Sequence, residues 1–265
     1  LTTPVGMGFR SINVTLREKF DLYANVRPVV SVPGTRSRFD DVDIITVREN
    51  TEGAYLAAEA KTSDCGTSAE SKIVITRKGS ERVARYAFDL ARAEGRRKVT
   101  LVHKANILKT VSGLFLEVAR EVAADYPDIE CDEMIVDATC MKLVMDPQQF
   151  DVIVTTNLFG DIISDLCAGL VGGLGLAPGA NIGKEAAIFE AVHGSAPDIA
   201  GRKIANPCAL LLAAAQMLTH LGMADRAERL RKAIAETIKA GDRTTPDLGG
   251  SGNTDQLADA IIERL

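Results

Sequence analysis

The segment Asn157-Leu-Phe-Gly-Asp161-Ile-Ile-Ser-Asp165-Leu sets two carboxylates four residues apart at the opening of a predicted helix, so both project from one face, one turn apart. Like charges at that spacing weaken an isolated helix by roughly 0.2–0.5 kcal/mol and bury nothing apolar, which leaves two readings of the pair. One is part of a divalent-metal site, with a cation between the side chains. The other is a solvated acidic helix start favoured by the helix dipole. An oxygen-only set of Asp161, Asp165 and a third carboxylate suits Mg²⁺ or Mn²⁺, which keep waters and share coordination with an anionic ligand. Asp137, at the end of a predicted strand, is a candidate third ligand, or it caps the helix that follows. A zinc site is not expected. The three histidines, His103, His193 and His220, do not pair at ligand spacing, and the five cysteines are scattered.

Three arginines stand near short polar donors, in Phe9-Arg-Ser11-Ile-Asn13-Val-Thr-Leu-Arg17, in Asn25-Val-Arg27-Pro28 and in Val47-Arg48-Glu49-Asn50. Arginine grips carboxylates with two parallel bonds. The bland readings are that Arg17 covers a helix face with its stem and that Arg48 pairs with a neighbouring glutamate. Lys104 follows a predicted strand, where parallel sheets present ligand-contacting residues, and Tyr55 follows the Arg48 strand by a short loop. Both can act as acid or base if their pKa values are perturbed; otherwise they are a surface lysine and a packed tyrosine. Neither a Walker A sequence nor G-x-G-x-x-G occurs, so a nucleotide would be held by other means. The loop His193-Gly-Ser-Ala-Pro-Asp198-Ile-Ala-Gly201 offers backbone donors, and Asp198 can accept from ribose hydroxyls while repelling a 2′-phosphate.

The elements that must position these groups alternate. Asp43 to Val47, Lys72 to Thr76, Lys98 to His103, Glu133 to Asp137, Asp151 to Thr155 and Ala187 to Val192 are short and strand-like, while Gly79 to Arg92 and Ser112 to Ala124 carry apolar residues at helical spacing. The pattern is α/β. The glycine-rich run from Gly169 to Gly179 reads as a hinge or ligand-facing loop, and from Pro207 onward the chain turns helical. At 265 residues the chain buries a sizeable core in one large or two smaller domains. Its net charge of −5 argues against a nucleic-acid surface, and its longest apolar run is too short for a membrane span. Cysteines without regular spacing suit reduced thiols in a bacterial cytoplasm, the favoured location, or a mitochondrial matrix.

Together these pieces resemble the β-decarboxylating dehydrogenases, the isocitrate, isopropylmalate, homoisocitrate and tartrate dehydrogenase group. The carrying motifs are residues 9–17, 21–28, Arg48-Glu-Asn-Thr-Glu-Gly53, His103-Lys-Ala-Asn106, 157–165, 172–183 and 193–201, which run almost end to end in family order. The resemblance implies a two-domain α/β/α sandwich. Residues 1–22 and 171–265 would form the large, cofactor-binding domain, with its opening segment absent from this sequence. Residues 23–170 would form a small domain with the dimer interface and clasp. The segment Ala57 to Ser68, in the usual clasp region, departs from the family pattern.

Carried over residue by residue, the resemblance makes Arg17, Arg27 and Arg48 the clamp for the substrate's carboxylates. Ser11 and Asn13 become the donors that select isocitrate over isopropylmalate, and Asp137, Asp161 and Asp165 the holders of Mg²⁺ or Mn²⁺. Lys104 and Tyr55 become the catalytic pair. Asn106, Glu190, His193, Gly194, Ser195, Ala196, Asp198, Ile199 and Asn206 fall on cofactor-binding positions, with Asp198 and Ile199 pointing to NAD. The expected activity is oxidative decarboxylation of isocitrate to 2-oxoglutarate, in a homodimer or higher homo-oligomer with shared active sites and no membrane or nucleic-acid partner. Homoisocitrate or isopropylmalate oxidation, or a noncatalytic regulatory subunit of a heteromeric enzyme, are the alternatives.

Overall fold

The computed structural model describes residues 11–56 and 60–265. Phe9 and Arg10 of the first motif and the start of the 57–68 segment lie outside them. Seven strands form one mixed sheet. In chain order they are β1 (Ala24–Val30), β2 (Asp43–Glu49), β5 (Lys98–His103), β6 (Glu130–Ile135), β7 (Val152–Thr155), β8 (Pro178–Ile182) and β9 (Ala187–Ala191); β3 (Lys61–Thr62) and β4 (Ala69–Glu70) make a separate exposed hairpin. The spatial order is β6-β5-β7-β2-β1-β8-β9. The first four run parallel, and β1, β8 and β9 continue as antiparallel pairs.

The inner parallel strands β5, β7 and β2 are largely apolar on both faces, as a sheet covered on both sides requires, while the edge strand β6 is polar and open. Alternate residues sort cleanly. Ile45, Val47, Val99, Leu101, Val152 and Val154 pack with helices α2 (Arg77–Ala93) and α3 (Val111–Ala123), whereas Ile44, Val102 and Ile153 pack on α4 (Val136–Met145) and α5 (Asn157–Leu170). A third core joins α6 (Cys208–His220), α7 (Ala224–Ala240) and α8 (Thr254–Ile262). The remaining helix, α1 (Ile12–Lys19), buries none of its residues. Among the described residues no helix is long and apolar enough to cross a membrane.

Three segments differ from the sequence expectation. Lys72 to Thr76 is not a strand: Ile73 and Val74 are exposed, and the run leads into α2, whose first turn Thr76 caps by accepting from the Gly79 amide at 3.0 Å. The strand expected over Glu133 to Asp137 begins earlier and ends at Ile135, so Asp137 stands in the first turn of α4. There its charge meets the helix dipole without capping the helix. The glycine run is a loop only in its middle: α5 extends to Leu170, Gly172 and Gly173 turn the chain with φ of 114° and 108°, and β8 starts at Pro178.

Candidate active site

The carboxyl ends of β2, β5, β6 and β7 share one rim of the sheet, and antiparallel β1 begins there, Asn25 lying opposite Arg48. Arg48, 1 % exposed, is the centre of the cluster. Its Nε and Nη2 donate to Asn157 Oδ1 at 3.0 and 2.7 Å, and its Nη1 donates to Asp161. Asn157 Nδ2 donates to the Glu52 carbonyl at 2.9 Å, so one amide fastens the β2 arginine, helix α5 and the loop that carries Tyr55. Arg27 Nη1 reaches Ser164 Oγ at 2.6 Å and lies 3.3 Å from both Asp161 Oδ1 and Asp165 Oδ1. The i, i+4 carboxylates do converge, and within this chain a guanidinium stands between them. Arg48 pairs with Asp161 across the sequence, not with an adjacent glutamate.

These neighbours push the two aspartates apart. Burial works against ionisation of Asp161, but the Arg48 charge, the Tyr55 hydrogen bond and Arg27 together hold its pKa below the usual range. Asp165, whose side chain is half exposed, is pushed up by the partial burial that remains and by the Asp161 charge, against the pull of Arg27. The Tyr55 hydroxyl donates to Asp161 and its ring lies 4.9 Å from the Arg48 guanidinium carbon. Burial and the Asp161 bond raise its pKa, so the phenol keeps its proton.

Arg17 approaches from α1, its Nη2 3.6 Å from Glu190 Oε1, and Asn13 faces the same small hollow. Burial and then the Arg48 charge lower the Arg17 pKa, and burial followed by Arg48 brings Arg27 down to about 10. Arg17 Nε is buried with no hydrogen-bond partner. An unsatisfied donor among mutually repelling guanidiniums fits an anion. Ser11 precedes α1 and makes no side-chain cap bond.

Lys104 and Asp137 form a second, separate pair at 2.5 Å, which lowers the Asp137 pKa through the lysine's hydrogen bond. Asn106 is exposed on the same loop as Lys104. Among the described residues no hydrogen bond or ion pair joins Lys104 to Tyr55, and no three His, Cys, Asp or Glu side chains gather closely enough to hold a metal ion. Asp161 and Asp165, oxygen donors one turn apart with Asp165 open to solvent, fit two positions of an Mg²⁺ or Mn²⁺ set that needs further ligands.

The glycine-serine loop after β9 borders a cleft of about 700 Å³ that His193, Gly194, Ser195, Ala196, Ile199 and Asn206 help to line. Asn206 is fixed there by donating to Asp247 Oδ2 and accepting from the Cys208 amide, both at 2.9 Å. Asp198 is exposed on the adjoining turn and does not line the cleft, while Glu190 lies apart with Arg17. The cofactor-binding positions therefore fall in three places on one chain. Sequence reasoning missed the roles of Asn157, Ser164, Asn25 and Asn181. A polar residue at a strand or helix position that needs no cap was the available signal for each.

A mixed α/β sheet whose parallel strands end beside a cluster of Arg17, Arg27, Arg48, Asp161 and Asp165 is an α/β fold with a charged site at one rim. The chain belongs to the isocitrate/isopropylmalate dehydrogenase family, whose profile matches residues 1–261. It is 54 % identical, over its whole length and 71 % of the relative, to isocitrate dehydrogenase [NAD] catalytic subunit 6, mitochondrial, of Arabidopsis thaliana. It is 53 % identical, over 95 % of its length and 76 % of the relative, to 3-isopropylmalate dehydrogenase of Archaeoglobus fulgidus. The crystal structure of isocitrate dehydrogenase from Methylococcus capsulatus matches with a TM-score of 0.96 and 61 % identity, over 100 % of this chain and 79 % of that one.

Proposed function

We propose that the protein is an NAD-dependent isocitrate dehydrogenase that oxidatively decarboxylates isocitrate to 2-oxoglutarate with Mg²⁺ or Mn²⁺. The observation that carries this reading is the convergence of Arg17, Arg27 and Arg48, with one buried guanidinium nitrogen left without a partner. A polycarboxylate relieves their repulsion and fills that donor. Ser11 and Asn13 offer a hydroxyl and an amide to the extra carboxylate, and an isopropyl group would leave them unpaired at roughly 1–3 kcal/mol per group. The near-equal identity to an isopropylmalate dehydrogenase makes that acid, with homoisocitrate, the specific rival. Asp198, near the cleft that would hold the adenosine half, favours NAD over a 2′-phosphorylated cofactor.

Asp161 and Asp165 would hold the dication with Asp137 of a second copy; when bound, the ion polarises the substrate's oxygen and stabilises charge developing there. Lys104 takes the hydroxyl proton, and Tyr55, whose raised pKa keeps its own proton in place, returns one to carbon. Arg17, Arg27 and Arg48 bind and orient the carboxylates. The separation of Lys104 and Asp137 from Asp161 on one chain supports a homodimer or higher homo-oligomer with shared sites. Exposed Met141 and Met145 on α4 and Leu158 and Ile162 on α5 supply an apolar face for that contact. We keep the division into a large domain of residues 1–22 with 171–265 and a small domain of 23–170. The five unpaired cysteines support a reducing compartment, a bacterial cytoplasm or mitochondrial matrix.

The test is kcat/KM for isocitrate, homoisocitrate and isopropylmalate, each with NAD and NADP, in the purified homomer. Preference for isopropylmalate overturns the argument from Ser11 and Asn13. Absence of turnover on all three favours a regulatory subunit, against which the retained Tyr55, Lys104, Asp137, Asp161 and Asp165 speak.

A further inference from the structure

A polar row crosses the buried centre of the sheet. Asn25 of β1 lies opposite Arg48 of β2 on one side and Asn181 of β8 on the other, and the three are 1 %, 1 % and 2 % exposed. Such positions ordinarily take branched apolar side chains, and a buried amide costs free energy unless it is bonded. The bonds run in single file. Arg27 Nε donates to Asn25 Oδ1 at 2.7 Å, Asn25 Nδ2 donates to Asn181 Oδ1 at 2.8 Å, and Asn181 Nδ2 donates to Glu190 Oε1 at 2.7 Å. Asn50 Nδ2 donates to the same Asn181 oxygen at 3.0 Å. A guanidinium only donates and a carboxylate only accepts, so the charges at the two ends dictate which way both asparagine amides face.

Arg27 at one end touches Asp161 and Asp165; Glu190 at the other lies beside Arg17. We propose that Asn181 is a positioning residue that sets Arg27 and Glu190 as one unit, so that the grip on the acid and the cofactor-side geometry are adjusted together. This rests on reading Arg27 as part of the acid clamp and Glu190 as a cofactor-side residue. A row that merely filled the core would tolerate any side chain of like volume, whereas a directed file of donors needs an amide in one orientation.

Asn181→Asp keeps the shape and still accepts from Asn25 and Asn50, but it bonds Glu190 only when one of the two carboxyls carries a proton. The charged groups around it are Glu190 from β9, Arg17 from α1, Arg27 from β1 and Arg48 from β2. The like charges favour a shared proton and the arginines favour ionisation, so KM for isocitrate and for NAD should both rise about tenfold at pH ~8.5 and fall back toward wild type as pH is lowered to ~5, with kcat changed less than about threefold. Asn181→Leu should raise both KM values at every pH. A change in only one KM, or a pH-independent defect in Asn181→Asp, overturns the proposal. Thermal melting supplies a readout independent of turnover: the gap between Asn181→Asp and wild type should narrow as pH falls over the same interval. If wild type oxidises none of the acids, the dehydrogenase reading fails, and the melting profile alone judges the file of bonds; a gap that does not narrow overturns it.

Discussion

Replacing Gly160 by alanine tests how tightly the sheet holds the central arginine. A Cβ at 160 would lie 2.5 Å from Arg48 Cγ, 2.6 Å from Arg48 Cβ and 3.1 Å from its Cδ. Carbon atoms settle at about 3.5–4.0 Å, so the helix or the arginine stem must yield by about 1 Å. The atoms met are the root of the side chain, and its far end is fixed by Asn157 and Asp161. Helix propensity by itself favours alanine by about 1 kcal/mol, whereas overpacking costs about 1–3 kcal/mol, so the net change in stability runs from none to a loss of about 2 kcal/mol. Activity should suffer far more, because a misplacement of about 1 Å at a binding clamp costs about a hundredfold in rate. Urea unfolding and initial rates on isocitrate, measured on the same preparation, separate the two effects. A variant about 1 kcal/mol more stable than wild type with unchanged kcat/KM would show that propensity wins and that the Arg48 stem is free to move.

Tyr55→Phe should lower kcat by about a hundredfold or more while KM for isocitrate stays within about threefold; a KM that rises in step with the loss would sink the proton-donor role. If sites are shared, Asp161→Asn and Asp137→Asn are each inactive alone, but mixing them under conditions of subunit exchange should restore about a quarter of wild-type activity, since half the dimers then hold one intact site. No recovery on proven exchange would place both aspartates in the same protomer's site. Asp161 has a depressed pKa in the folded state, so its stabilisation is complete above the unfolded value of roughly 4 and fades as pH falls through the folded one. Asp165, with a raised pKa, destabilises above that unfolded value. Melting profiles should therefore show Asp161→Asn less stable and Asp165→Asn more stable than wild type near neutrality, both differences closing in acid. Shifts of the same sign would contradict the environments described for the pair.

Most of the parallel sheet was legible because its strands are short β-branched runs, and Lys98 to His103 coincides with β5 at both ends. Strand β1 was not, since Pro28 and two polar residues break its pattern. Its pairing with β8 stops at Val26, so Pro28 opposes Ile45 of β2 alone and its missing donor falls where no further strand needs it. Helix α4 was expected only as the element that Asp137 would cap, and its extent was not readable because Met141, Val144 and Met145 leave an apolar face exposed and blur its period. Lys72 to Thr76 misled through composition, being apolar and β-branched yet paired with no strand of either sheet. In the candidate site, residue types and family order singled out Arg17, Arg27, Arg48, Asp161 and Asp165, which the fold brings together, and Asp137, which stands apart with Lys104. Neither could reveal that Asn157 ties three of the site's elements together, or that Arg27 stands between the aspartates.

Helix α1 contributes no buried residue, while Arg27 and Arg48 are locked into the sheet. In the proposed enzyme the carboxylate grip is thus part anvil, Arg27 and Arg48 in the sheet, and part tool rest, the half-buried helix α1 that carries Arg17 with Ser11 just before it. Under that reading, changes at Ser11 and Asn13 would retool the enzyme for a different side group without disturbing the sheet, in keeping with the near-equal identity of this chain to relatives named for two different acids.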